Sequence, residues 1–309
     1  MVVGNLADAT EVAVIGAGPG GYVAAIRLAQ LGKEVTVISK DPEPGGVCLL
    51  RGCIPSKALI EATKLFTRIQ TAEVMGISVE NAKIDIAKLQ AWRESVIKKL
   101  AQGVSGLFKQ HGIKMIVGEA VFENEKTLQI KTESGTQQLQ FEQAIIATGS
   151  RPRPIPNFDF DEKTVLSSRE ALALQEAPKD FLVIGGGYIG LELTGVYARL
   201  GSKVTVVEAT DSLLPGTDPD LLRPLKKRLK GMGVEVHLQT LATGCERKKG
   251  KIEVTLKDKD GKERKASFTK VLVAVGRAPN SEGLGLDRAG VTLDDHGFIP
   301  INDRCQTNV

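Results

Sequence analysis

Val12-Ala-Val-Ile-Gly-Ala-Gly-Pro-Gly-Gly21 and Phe181-Leu-Val-Ile-Gly-Gly-Gly-Tyr-Ile-Gly190 carry one pattern twice. Each opens on a four-residue apolar run, the signature of a strand covered on both faces. Each then enters a turn with glycine at its first, third and sixth places. An amphipathic stretch follows, ending at Leu31-Gly32 or Leu200-Gly201, where the glycine suits a helix C-terminus. Second apolar runs come next, Val35-Thr-Val-Ile-Ser39 and Val204-Thr-Val-Val-Glu208. The reading is α/β: two tandem Rossmann-like domains, each with a parallel sheet plus a β-meander.

The glycines have separate tasks in such a turn. Gly16 and Gly185 permit the tight bend, Gly18 and Gly187 let a pyrophosphate approach the backbone, and Gly21 and Gly190 let helix and strand pack closely. The phosphates then meet the free amides and the positive dipole end of the helix. One such turn also serves ordinary bends. Two in matching context point to two bound dinucleotides.

Composition sets limits on other classes. The chain has 309 residues, enough for two cores, with 41 basic and 37 acidic side chains and a net charge of +4. The short basic runs Lys98-Lys99, Lys226-Lys227-Arg228 and Arg247-Lys248-Lys249 read as solvated faces, so neither nucleic acid nor a membrane is an expected partner. No apolar stretch reaches membrane-span length and no leader pattern opens the chain, which gives the expectation of a cytoplasmic protein. Aromatics make up only 4% while 33 residues are glycine, in keeping with many tight strand-to-helix turns.

Between the repeats, residues 56–110 read as helical, with one apolar face running from Ala58 to Ile69 and another from Ile86 to Leu100. Trp92 falls on the second face and is expected in the core. Lys114–Val117, Glu119–Phe122, Leu128–Lys131 and Gln137–Phe141 alternate like an antiparallel meander, and Ala144–Gly149 returns to a buried strand. Three prolines in Arg151–Pro156 mark a linker. The second half repeats the plan with a helix at Asp220–Met232, a strand at Val234–Leu238, a meander through 251–268 and a strand at Val271–Gly276.

Cys48-Leu-Leu-Arg-Gly-Cys53 needs its own explanation. On a regular helix, residues five apart are separated by about 8 Å along the axis, beyond the ~7 Å Cα limit for a disulfide. A bridge therefore requires a distorted helix start, and Gly45-Gly46, Gly52 and Pro55 supply the means. A strained pair of this kind would be redox-labile. Two unpaired buried thiols are the competing reading.

Gly45-Gly-Val-Cys-Leu-Leu-Arg-Gly-Cys-Ile-Pro-Ser-Lys57 resembles the redox motif of the flavin-dependent pyridine nucleotide-disulfide oxidoreductases, in wording nearest their dihydrolipoamide dehydrogenase branch. Ala147-Thr148-Gly149, the second glycine turn and Ala274-Val-Gly-Arg-Ala-Pro-Asn280 follow in the family's order. The resemblance implies FAD at the first turn, with Gly46, Thr148 and Gly149 beside it, and NAD at the second, with Gly276. It implies an FAD-binding domain over 1–150 with the dithiol, an NAD-binding domain over 151–276, and a segment 277–309 returning toward the first. Cys53 would face the flavin and Cys48 exchange with substrate. Lys57, one helical turn from Cys53, matches the lysine near the flavin's reactive nitrogen. Glu192 matches its partner from across the domain boundary, and Tyr188 the ring gating the nicotinamide pocket. The partners implied are a lipoyl domain of a 2-oxo acid dehydrogenase complex and a second copy in a homodimer.

Glu208, 23 residues after Gly185, is placed to accept the ribose hydroxyls and repel a 2′-phosphate, which favours NAD. The corresponding first-unit residue is Ser39, where the family usually has an acid for the FAD ribose; Asp41 is the nearest substitute. The family also continues beyond residue 309 into a flavin-closing strand and an interface domain with a catalytic histidine. His111, His237 and His296 stand outside that motif, so a truncated fragment, inactive or weakly active, is the expectation. Two other readings remain open here. A small thioredoxin-reductase-like enzyme fits the length but lacks a Cys-x2-Cys pair between 151 and 276; a non-catalytic dinucleotide-binding scaffold leaves the dithiol unexplained.

Overall fold

The computed structural model describes residues 8–248 and 250–309. Residues 1–7, read above for a leader, and Lys249, the end of a basic run, lie outside that range. In chain order the elements are β1 (Asp8–Ile15), α1 (Pro19–Gln30), β2 (Val35–Ser39), a π-helical turn (Val47–Arg51), α2 (Cys53–Gln70), a 3-10 turn (Ala72–Met75), α3 (Ile86–Gln110), β3 (Lys114–Val117), β4 (Glu119–Asn124), β5 (Thr127–Thr132) and β6 (Gly135–Ile146). The chain continues through β7 (Ser150–Pro152), β8 (Val165–Leu166), α4 (Ser168–Leu172), β9 (Asp180–Ile184), α5 (Tyr188–Arg199), β10 (Lys203–Val207), α6 (Pro219–Gly231), β11 (Glu235–His237), β12 (Leu241–Lys248), β13 (Lys251–Lys257), β14 (Glu263–Phe268), β15 (Lys270–Val273) and β16 (Arg277–Pro279).

Packing divides the chain into two compact units. The first comprises residues 8–50, Ile97–Arg151 and Ala278–Val309; the second comprises Arg51–Val96 and Pro152–Arg277. Residues 51–96, assigned above to the first nucleotide domain, therefore pack with the second. The reason is apolar: Leu59 and Leu89 join Phe181, Val183, Leu193 and Val196 in one buried cluster.

The first unit is built on a six-stranded sheet ordered β3-β2-β1-β6-β5-β4. The first four are parallel neighbours and the last two complete an antiparallel meander. Alternation along β1 explains the apolar run Val12–Ile15. Val12 and Val14 face Ala25 of α1 and Phe108 of α3, while Ala13 and Ile15 face Phe122, Leu139 and Leu284. Two expectations change. Lys114–Val117 pairs in parallel with β2 instead of opening the meander, and Gln137–Phe141 with Ala144–Ile146 is one twelve-residue strand. Its length lets β6 pair with β5 and β1 on opposite edges.

The second unit has a five-stranded parallel sheet ordered β11-β10-β9-β15-β8 and a separate antiparallel sheet ordered β12-β13-β14. Leu182 and Ile184 of β9 pack on Val254, Leu256 and Phe268 of the small sheet. Phe181 and Val183 face the helices. The helical reading of 56–110 is interrupted between Met75 and Ile86 by non-helical chain. Trp92, expected in the core, is 45% exposed, because Arg93 takes the inward position and donates to the Leu172 carbonyl. The basic pairs Lys98-Lys99 and Lys226-Lys227 lie on exposed helix faces.

Candidate dinucleotide and dithiol sites

Strand order places each glycine turn at a switch point, where neighbouring strands lead to opposite sides of the sheet. β1 lies between β2 and β6, and β9 lies between β10 and β15. The turns after β1 and β9 consequently open beside the chain leaving β6 and β15. A Cβ on Gly16 (φ +107°) would sit 2.3 Å from the Ala147 carbonyl oxygen, and one on Gly185 (φ +109°) 2.4 Å from that of Ala274. Only glycine fits there. At the sixth place the obstacle is the first glycine itself: a Cβ would lie 1.8 Å from Gly16 O at Gly21 and 2.3 Å from Gly185 O at Gly190.

The middle glycines differ in kind. Gly18 and Gly187 are the N-caps of α1 and α5, with ordinary φ of −75° and −76°. A Cβ on Gly187 would meet nothing within 4 Å, and one on Gly18 only the Gly46 Cα at 3.9 Å. No protein group demands glycine at either place. The open space above a helix N-terminus with free amides suits a phosphate.

In the first unit, Gly46 (φ +57°) backs this space, its own Cβ position lying 2.5 Å from the Gly18 Cα, while the Gly45 amide donates to the Ala17 carbonyl at 2.7 Å. Asn280 braces Thr148-Gly149 by two bonds, Nδ2 to Thr148 O at 2.9 Å and its amide to Gly149 O at 3.0 Å. The Ser39 hydroxyl is buried and accepts the Asp41 amide at 3.2 Å.

In the second unit an open cleft of about 740 Å³ is lined by Gly185, Gly187, Tyr188, Val207, Glu208, Gly276 and Arg277 among others. Glu208 is 9% exposed. Its Oε2 accepts the Gly186 amide at 2.6 Å, and its Oε1 accepts the Thr210 amide at 2.8 Å and the Thr210 hydroxyl at 2.9 Å. Such charge-assisted bonds hold the carboxylate on the cleft wall. Tyr188 is 66% exposed and is the first residue of α5. Burial lowers the pKa of the Arg277 guanidinium, opposed by the nearby Tyr188 and Cys53.

The cysteine segment starts α2 irregularly. Cys48 lies in the π-helical turn and is half-buried; Gly52 is the N-cap, with φ −141° and ψ −102°; Cys53 begins the helix and is exposed. This is the distorted helix start that a bridge would need. One turn on, the Lys57 ammonium donates to Glu192 Oε1 at 2.8 Å and Oε2 at 3.0 Å. Lys57 and Glu192 belong to one compact unit, not to two sides of a boundary. The histidines take no part in these arrangements: His111 follows α3 and His296 lies in an exposed turn. His237 sits in β11, with its pKa lowered first by burial and then by Arg264.

Sequence reasoning overlooked Gly186, Thr210, Asn280, Ser56 and Arg277. Four of these stand inside the quoted motifs. Thr210 carries no signal of its own, since its part depends on where the loop after β10 turns. Among the described residues, no group of three or more His, Cys, Asp or Glu is placed to hold a metal, and no helix is long and apolar enough to cross a membrane.

The sequence profile of the pyridine nucleotide-disulphide oxidoreductases matches residues 10–309. Dihydrolipoyl dehydrogenase of Geobacillus stearothermophilus is 47% identical over 309 residues, covering 100% of this chain and 65% of that protein. The Bacillus subtilis protein of that name is 45% identical over 310 residues, with the same 100% and 65% coverage. The chain thus spans about 65% of the length of these curated relatives. Among solved structures, LpdA from Mycobacterium tuberculosis superposes with a TM-score of 0.88 at 28% identity, covering 97% of this chain and 65% of that one.

Proposed function

Because the chain belongs to the pyridine nucleotide-disulphide oxidoreductase family, we propose that it carries the FAD, NAD and dithiol centres of a dihydrolipoyl dehydrogenase. The overall reaction moves two electrons. A dihydrolipoyl dithiol exchanges with a Cys48–Cys53 disulfide, leaving a lipoyl disulfide and two protein thiols. Reoxidation of those thiols delivers a hydride to NAD and releases one proton. When bound, FAD supplies the two-electron relay between dithiol and nicotinamide.

The backbone fits both cofactors in the same way, by open space over a helix N-terminus with glycines on the protein side. Gly16, Gly18, Gly21, Gly46, Thr148 and Gly149 would hold FAD, with Ser39 at its ribose. Gly185, Gly187, Gly190, Glu208 and Gly276 would hold NAD, and Tyr188 would cover the nicotinamide. Glu208 selects against a 2′-phosphate because a nearly buried carboxylate repels it. Cys48 would exchange with substrate and Cys53 would carry the thiolate toward the flavin, with Lys57 and Glu192 beside it. The lipoyl group would arrive on a domain of a 2-oxo acid dehydrogenase complex, and the working form would be a homodimer.

The observation that carries this reading is the cysteine segment itself, with Cys48 in a π-turn, Gly52 as the N-cap and Cys53 at the head of the helix whose Lys57 pairs with Glu192 of α5. The test is the visible spectrum of the purified chain, followed by anaerobic NADH and thiol titration. A flavin band, a long-wavelength shoulder on reduction and the gain of two titratable thiols are expected. A colourless protein that binds NADH without gaining thiols would make it a dinucleotide-binding scaffold.

A further inference from the structure

Ser56 shares its acceptor with Lys57. Its hydroxyl donates to Glu192 Oε2 at 2.5 Å, the same carboxylate whose two oxygens take the Lys57 ammonium at 2.8 and 3.0 Å. Neighbours on a helix are about 100° apart, so two consecutive side chains meet one carboxylate only when it lies in the groove between them. Glu192 reaches that groove from α5. All three residues lie in the second compact unit.

The two donors are not equal. The Lys57 side chain is 59% exposed and that of Glu192 30%. An ion pair so exposed holds its members weakly, because water screens the charges and a long lysine loses rotamer freedom on pairing. Ser56 is 6% exposed. Its amide is already bonded to the Gly52 carbonyl at 2.9 Å, and Pro55 before it is buried, so the backbone that presents the hydroxyl is fixed. A short bond from a buried hydroxyl to a carboxylate is charge-assisted, and breaking it strands a polar group without water.

We propose that Ser56 is a positioning residue for Lys57, acting through Glu192. The hydroxyl fixes the Glu192 carboxylate, and the carboxylate fixes where the mobile ammonium rests, on the face of α2 it shares with Cys53. The order Cys-Ile-Pro-Ser-Lys thereby acquires a reason: the serine supplies the rigid anchor that an exposed lysine lacks. This deepens the reading of Lys57 as the lysine beside the flavin and rests on it for its chemical consequence, though the hydrogen-bond chain is tested separately.

The experiment is site-resolved acylation of lysines in the 309-residue chain, read by mass spectrometry, with exposed Lys88 as the internal reference. Glu192→Gln is expected to speed Lys57 labelling roughly 1.5- to 5-fold, the range that loss of an exposed ion pair allows. Ser56→Ala should give most of that increase, and Ser56→Thr, which keeps the hydroxyl, should return the rate to wild type. Lys57 unchanged in Ser56→Ala but accelerated in Glu192→Gln would overturn the proposal, as would no change in either. The unmodified chain offers a second measurement: a slowly exchanging Ser56 hydroxyl proton by NMR supports the bond, and fast exchange overturns it. Flavin-loaded Glu192→Gln with an unaltered flavin potential would instead sink the flavin-side role of Lys57, leaving the positioning result intact.

Discussion

The two glycine turns are close copies in backbone and unlike in side chain. At the first glycine the forbidden Cβ lies 2.3 Å from a carbonyl oxygen in one and 2.4 Å in the other, with φ of +107° and +109°. At the end of the second strand the copies diverge. Glu208 reaches back to the Gly186 amide and out to Thr210, tying strand, turn and loop together. Ser39 is two carbons shorter and turns to its own loop, at the Asp41 amide. Steric exclusion by backbone admits one solution, so it repeats. At the end of the second strand no backbone atom imposes such a choice, so the side chain is free to differ.

The sharpest way to break this equivalence is at the first glycines. Gly16→Ala and Gly185→Ala should each cost more than about 3 kcal/mol in denaturant melts, since a Cβ must displace backbone in a conformation L residues avoid. A cost below about 1 kcal/mol in either would show that turn to be slack and the copies unequal. Next comes Glu208→Ser, which gives the second turn the side chain type of the first. Loss of hydrogen bonds to a charged acceptor predicts roughly 10- to 150-fold weaker NADH binding by calorimetry, from ~1.5–3 kcal/mol, together with a smaller preference over NADPH. Undiminished affinity would remove Glu208 from cofactor selection.

Gly187→Ala should separate ligand from fold. With ordinary φ and nothing within 4 Å, the methyl should alter stability by no more than about 1 kcal/mol while weakening NADH binding. Equal loss of both would mean that the open space is not where phosphate lies. The smallest effect concerns pH. Burial lowers the His237 pKa below its ordinary 6.5, so as pH falls past 6.5 the unfolded chain takes the proton first. Stability of the second unit should therefore be flat above that pH and decline below it. His237→Gln should flatten the decline in a series of thermal melts; an identical slope would assign it to other groups.

Legibility followed the range of the interactions. Gly21 and Gly190 were readable because the constraint on each, the carbonyl of Gly16 or Gly185, lies in the same turn. Gly16 and Gly185 were readable from the turn pattern alone, the Ala147 and Ala274 carbonyls that exclude a Cβ being distant in sequence. The strand faces were readable because apolar runs leave little choice for a parallel sheet. Lys114–Val117 was misread since alternation describes an edge strand of either polarity, and only the β2 partner decides that it is parallel. Trp92 was misread because the inward position on α3 goes to Arg93, whose acceptor, the Leu172 carbonyl, is distant in sequence.

The sequence by itself determined the repeated strand-turn-helix-strand unit, its two glycine turns and the irregular start of α2, because turn and helix-start patterns span only a few neighbouring residues. Tertiary structure decided that residues 51–96 pack with the second nucleotide unit, and that Ser56, Lys57 and Glu192 meet. Those outcomes come from burying Leu59 and Leu89 against α5 and its sheet, a gain summed over residues from distant parts of the chain, which no local pattern records.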